Sequence, residues 1–233
     1  FLMLIICSLI YKGNFINRIF DKVNNYNNSI VVETRVYEVN SEFCESAPDT
    51  VTYSDHNYRW IKVNCNAEFA PRDGAGAIVF KDSMWLIGGW NPNDTINFPR
   101  ICNNEVWNSK NGKDWNQIKK NSFLDDTFNP KEDWEGRHTA GYVVFKEKMW
   151  IVGGDANQGH YISDVWNSED GRNWNLVTND LPWAPRVLHY TVVHDNKIWV
   201  MGGQTLPQMA EADEIFYSDI WNSTDGINWI QVK

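Results

Sequence analysis

The chain is expected to be all-β, built from repeated four-stranded antiparallel sheets. Three observations carry that expectation. Trp60, Trp115, Trp174 and Trp229 recur at spacings of 55, 59 and 55 residues, each closing a short polar turn. Diglycines recur at Gly88-Gly89, Gly153-Gly154 and Gly202-Gly203, each after a Trp-containing apolar run. An arginine opens each full unit, at Arg72, Arg137 and Arg186. Several markers in one order identify an internal repeat.

The unit spanning 137–177 shows the logic of all three. Ala140 to Phe145 and Met149 to Val152 are apolar runs separated by a short charged turn, as in a hairpin. Gly153-Gly154 ends the second run where the backbone must turn or approach another chain segment closely. Asp164-Val165-Trp166 leads into a third strand, and Trp174 to Val177 forms the fourth. Asn111-Gly112, Asp170-Gly171 and Asp225-Gly226 join third strand to fourth, and such pairs accept positive φ in tight hairpins. The inner run Gly76 to Phe80 is apolar on both faces, as expected of a strand packed between neighbouring sheets. One such sheet cannot cover both of its faces, so copies must stack on one another. Radial stacking gives a β-propeller. Full blades are expected at 72–118, 137–177 and 186–232, within a propeller region 51–233. A degenerate copy at 51–64 keeps only Ser54 to Trp60 and has Val51-Thr52 where the others have an aliphatic residue and Trp.

The order of arginine, inner strand, diglycine, aromatic and Trp resembles the kelch repeat of kelch and galactose-oxidase-type propellers. The resemblance covers roughly residues 50 to 233. Two departures stand out: Trp-Asn-Ser precedes the turn where many kelch units carry Tyr-Asp, and Ser-x-Asp-Gly-x-x-Trp is one residue shorter than the Asp box of sialidase-like propellers. Propellers have four to eight blades. Three full units and one partial unit therefore read as a fragment of a longer propeller, the alternatives being an open arc or closure by self-association.

The N-terminal segments are harder to place. Phe1 to Ile10 is almost wholly apolar and too short to span a bilayer. Residues 1–12 are expected to be a truncated signal peptide or membrane anchor, the alternative being a buried strand or helix. Residues 13–50 form a lead-in, in which Ile30 to Val39 alternates like a half-buried strand. A secreted or cell-surface location follows from that reading. Three glycosylation sequons, Asn27-Asn28-Ser29, Asn93-Asp94-Thr95 and Asn222-Ser223-Thr224, arise easily in an Asn-rich chain. Cys44 and Cys65 could close a short disulfide loop that leaves Cys102 odd, or the cysteines could be free thiols.

The net charge of −9 argues against a nucleic-acid partner. No Walker A loop, HExxH or CxxC is present, and neither metal nor cofactor is expected. In kelch propellers the binding surface is built from loops between strands two and three and between blades. The resemblance therefore points to Trp90, Asn91, Asp94 and Arg100 in the first loop. In the second it points to Asp155, Asn157, Gln158, His160 and Tyr161, and in the third to Gln204, Glu211, Asp213 and Glu214. Arg72, Arg137 and Arg186 are expected at the start of the inner strand, directed at the central cavity. There they could grip an acidic ligand or pair with an acid of a neighbouring blade. A copper site of the galactose-oxidase kind needs a Cys beside a ligand Tyr, and Cys102 has no Tyr neighbour. The reading that results is a non-catalytic binding module for a protein or carbohydrate. The alternative is a carbohydrate-active propeller enzyme (a sialidase-like hydrolase, sialic-acid epimerase or oxidase), with Glu211 and Glu214 as conceivable acid and base.

Overall fold

The computed structural model describes residues 50–53, 58–91, 100–156, 160–205 and 214–232. The expected leader, the lead-in with Cys44, and the loop residues Asp94, Asn157, Gln158, Glu211 and Asp213 lie outside the described residues. The chain divides into two units, Phe1–Cys65 and Asn66–Lys233. Strands β1 (Thr50–Tyr53) and β2 (Tyr58–Ile61) of the first unit pair antiparallel, with Thr50 opposite Ile61 and Tyr53 opposite Tyr58. They occupy the third- and fourth-strand positions of the repeat, so the degenerate copy keeps its outer hairpin. Cys65 is disulfide-bonded, whereas Cys102 is a free, buried thiol.

The second unit is three four-stranded antiparallel sheets, each a meander in chain order. Blade 1 comprises β3 (Gly76–Phe80), β4 (Ser83–Ile87), β5 (Val106–Ser109) and β6 (Asn116–Lys119). Blade 2 comprises β7 (Gly141–Phe145), β8 (Lys148–Val152), β9 (Val165–Ser168) and β10 (Asn175–Thr178). Blade 3 comprises β11 (Tyr190–His194), β12 (Lys197–Met201), β13 (Ile220–Ser223) and β14 (Trp229–Gln231). No helix occurs among the described residues. This is an all-β partial propeller, as the repeat spacing predicts.

Period-two alternation explains how the blades stack. On β7 and β8, Tyr142, Val144, Met149 and Ile151 pack toward blade 1 with Phe80, Trp85 and Ile87. Their neighbours Val143, Phe145, Trp150 and Val152 pack toward blade 3 with Ile198 and Val200. Blade 2 is thus buried on both faces. The inner strands β3 and β11 each cover one face only: Val79 and Tyr190 are 71% and 75% exposed.

The expectation for the turns between third and fourth strands holds in part. Asn111-Gly112 and its counterparts do join third strand to fourth, but only the glycines have positive φ, at 74°, 75° and 78°. The turn is instead a side-chain cage six residues long. Ser109 Oγ accepts the Gly112 amide at 2.8 Å, and Asn111 Oδ1 accepts the amides of Lys113 and Asp114 at 2.9 Å. Ser168 with Asp170 and Ser223 with Asp225 build the same cage. The two-residue turns with both φ positive are the charged ones between first and second strands: Lys81-Asp82, Lys146-Glu147 and Asp195-Asn196. Only a turn of that hand matches the twist of the flanking strands.

Candidate functional site

Each repeat arginine lies four residues before its inner strand and turns into its own blade. Arg137 is fully buried. Its Nε donates to the Glu135 carbonyl at 2.9 Å and its Nη1 to the Gly153 carbonyl at 3.1 Å. Nη1 and Nη2 hold Asp164 in a bidentate pair. Asp164 also accepts Trp166 Nε1 at 2.7 Å. Arg186 repeats the pattern with the carbonyls of Ala184 and Gly202 and with Asp219, which accepts Trp221 Nε1. The acidic partner therefore belongs to the same blade, not a neighbouring one. The diglycine carbonyl is the group this guanidinium satisfies, at the point where positive φ at both glycines turns the chain.

Blade 1 differs in a way that matters. Arg72 binds the Ala70 and Gly88 carbonyls as its counterparts do, but reaches Asn103 Oδ1 at 3.0 Å and Glu105 at 2.7 Å in place of a bidentate Asp. The longer Glu105 side chain also accepts Trp107 Nε1 at 3.0 Å and Gln117 Nε2 at 3.2 Å. This network is not sealed. It forms one wall of an open cleft of about 350 Å³ whose other walls include Asn91, Ile101, Lys120, Asn121 and Leu124. A second cleft of about 440 Å³ lies between the 120–135 segment and the blade 2 turn, bordered by Phe128, Asp133, Arg172 and Trp174.

The positions after the diglycines are ordered extensions of the sheets, not loop tips. Trp90, Asp155 and Gln204 each bridge two flanking residues: Asp73 and Cys102, His138 and Tyr161, and Val187 and Phe216. Trp90 is buried with Ile101 and Cys102, and its ring lies 5.8 Å from that of His138. Asp155 is fully buried, while Tyr161 and Gln204 are half-buried. Arg100 is drawn to the 120–135 segment. It donates to the Asp125 carbonyl and to Asp126, and lies 5.1 Å from the Phe123 ring. His160 is exposed and pairs with Glu135 at 3.3 Å. The hydrogen bond to Glu135 raises the His160 pKa, and the same bond lowers that of Glu135. Burial pushes the Cys102 thiol well up, with Asp155 adding to the shift. The structure thus gathers Arg72, Asn91 and the residues beside Arg100 around one cleft. It places Arg137, Arg186, Trp90 and Asp155 in the interior. Among the described residues no three His, Cys, Asp or Glu side chains converge as a metal site.

Two elements escape the sequence reading. The acids Glu105, Asp164 and Asp219 stand two residues before Trp107, Trp166 and Trp221. Phe69, Trp134 and Trp183 stand three residues before the repeat arginines and pack edge-on against Trp115, Trp174 and Trp229, at 5.1, 5.6 and 4.5 Å. Both sets recur at fixed offsets, which is the signal that could have found them. No protein-family model matches the chain, and no curated protein matches it.

Proposed function

We propose that the chain is a non-catalytic binding module on a kelch-like scaffold, with its ligand seated in the cleft of blade 1. The carrying observation is the opened arginine network. Arg137 is sealed inside its blade, whereas Arg72 and Glu105 line a cleft together with the amide side chains of Asn91, Asn103, Gln117 and Asn121. Four side-chain amides and a guanidinium paired with Glu105 offer hydrogen-bond donors and acceptors, and Lys120 adds one ammonium to the wall. That mostly amide lining suits a polyhydroxylated glycan, and a protein surface is the second ligand class it fits. The disulfide at Cys65 supports a secreted or cell-surface setting, where thiols oxidise.

The test is an array of neutral oligosaccharides probed with the full chain, followed by titration of the best ligand. Gln117→Ala and Asn121→Ala should weaken binding by about tenfold each, the loss of one hydrogen bond or a little more. Arg137→Ala should leave the affinity of the folded fraction unchanged while lowering stability. Glycan binding that survives both cleft substitutions, or that is lost with Arg137, would sink the assignment to this cleft. An array with no bound glycan would remove the glycan class.

A further inference from the structure

The connection from β6 to Arg137 is residues 120–136, whereas the one from β10 to Arg186 is residues 179–185. The repeat needs only the shorter path. The extra length makes a fastened wall, not a slack loop. Asn104 is fully buried beneath it and accepts the Ser122 amide at 2.8 Å through Oδ1. Its Nδ2 reaches Ser122 Oγ at 2.8 Å, Asp133 Oδ2 at 3.2 Å and the Trp134 carbonyl at 2.9 Å. Lys119 pairs with the same Asp133 carboxylate at 2.7 Å, and Ser122 Oγ donates to it at 2.6 Å. Insertions into single repeats map to one face of such arrays, often the binding face.

The second cleft, of about 440 Å³, lies between this wall and the turn of blade 2. Its volume is that of an ordinary ligand pocket. Both sides are held in place. Asp170 Oδ1 accepts the amides of Arg172 and Asn173 at 2.8 Å. Opposite, the Asn129 carbonyl accepts the amides of Glu132 and Asp133, which closes a turn over 129–133.

The valences that remain in the lining define a ligand. Arg172 and Glu132 line the cleft, both exposed, and neither belongs to the ion pairs among the described residues. The two lining amides are half used, in opposite senses. Asn173 gives Nδ2 to Asp170 Oδ2 at 2.8 Å, which leaves Oδ1 as an acceptor. Asn129 commits Oδ1 to the Lys131 amide at 3.1 Å, which leaves Nδ2 as a donor. Phe128 and Trp174 add apolar lining. A short stretch of polypeptide complements this set: a main-chain N–H and carbonyl for the two amides, an acidic side chain for Arg172 and a basic one for Glu132. A neutral glycan would leave both charges unpaired, and a simple anion would leave Glu132 unpaired.

We propose that the second cleft binds an extended peptide segment carrying one acidic and one basic side chain. The inference does not rest on the glycan reading of the first cleft, with which this one shares no lining residue.

The test is an array of end-blocked synthetic peptides that place one Asp and one Arg at every separation along a Gly-Ser backbone. Each is accompanied by versions with Asn for the Asp or Gln for the Arg. The array is probed with the full chain, and the best peptide is titrated. Either neutral replacement should weaken binding at least tenfold. Arg172→Glu and Glu132→Lys should each do the same, because each sets like charges against one another. A peptide with Lys in place of its Asp should recover binding to Arg172→Glu. Both side chains are exposed, so the variants should fold, and circular dichroism confirms it. Gln117→Ala, in the first cleft, should leave the titration unchanged. An array with no bound peptide overturns the proposal. So does equal binding of the Asn or Gln versions, which would mark a site for a single charge. Binding unmoved by either charge reversal, no recovery with the Lys peptide, or a loss with Gln117→Ala would overturn it as well.

Discussion

At the scale of single residues, the strongest constraints are buried charges with short lists of partners. Arg137 makes four hydrogen bonds inside blade 2 and none of them is solvent-facing. Arg137→Ala would strand the Asp164 carboxylate and the Gly153 carbonyl, at a cost of about 3–5 kcal/mol. Arg137→Lys should recover little, because one ammonium cannot hold two carbonyls and a bidentate carboxylate together. Urea denaturation of both variants checks this, and a lysine variant near wild-type stability would contradict it. His189 sets a second constraint, with the opposite sign to an ion pair. Burial, reinforced by the Arg186 charge, pushes its pKa down to about 4. An unfolded imidazole titrates near ~6.5. Between those values the unfolded chain takes up a proton that the folded chain refuses. Stability present above pH 6.5 is therefore lost as pH falls toward 4, by up to about 3 kcal/mol. The sister blades carry Ala75 and Ala140 at this position. His189→Ala should flatten the denaturation midpoint across this window, and an unchanged pH slope would show that His189 is not the group responsible.

At the scale of elements, the four strands of each blade follow directly from apolar runs, diglycines and the Trp-closed turn. The turns between them do not. Lys146 and Glu147 hold φ of 48° and 57°, yet neither residue type favours that region. The strands impose the turn, because β7 and β8 pair from Gly141↔Val152 down to Phe145↔Lys148 and leave two residues to reverse the chain. Glu147→Gly should relieve this strain and raise stability by about 0.5–1 kcal/mol, net of the glycine's greater freedom when unfolded. A destabilised Glu147→Gly would mean that the Glu147 side chain contributes more than its backbone costs. The same gap between pattern and geometry hid the site. Glu105, Asp164 and Asp219 are legible as letters, but their role depends on a guanidinium about 30 residues away in sequence. Strand periodicity carries no information about such a pair. Trp90, Asp155 and Gln204 read as loop because a diglycine normally ends a strand. Here the positive-φ pair bends the chain and pairing resumes on its far side.

At the scale of the molecule, the blades are alike but unequally supported. In a stack of repeats, stability is the sum of each repeat's own term and its contacts with neighbours. Blade 2 has two neighbours in the second unit, and its core residues Met149, Ile151 and Val152 are fully buried. Trp150 joins it to blade 3, packed among Val143, Phe145, Ile198 and Val200 and resting on Gly226. Trp150→Ala would empty that space at a cost of about 3–5 kcal/mol. The effect should be directional, since Trp150 faces blade 3 and Trp85 alone serves the other junction as the ring on the turn glycine. Amides of β11 to β14 should exchange faster in Trp150→Ala, while those of β4 and β5 keep their protection. Hydrogen exchange read by mass spectrometry resolves the two blades. Uniform loss of protection across all three would instead mean that the blades unfold as one cooperative unit. The tryptophan on the glycine would then be one contact among many, and the coupling between blades would have to lie in the inner strands β3, β7 and β11, whose approach the substitution leaves intact.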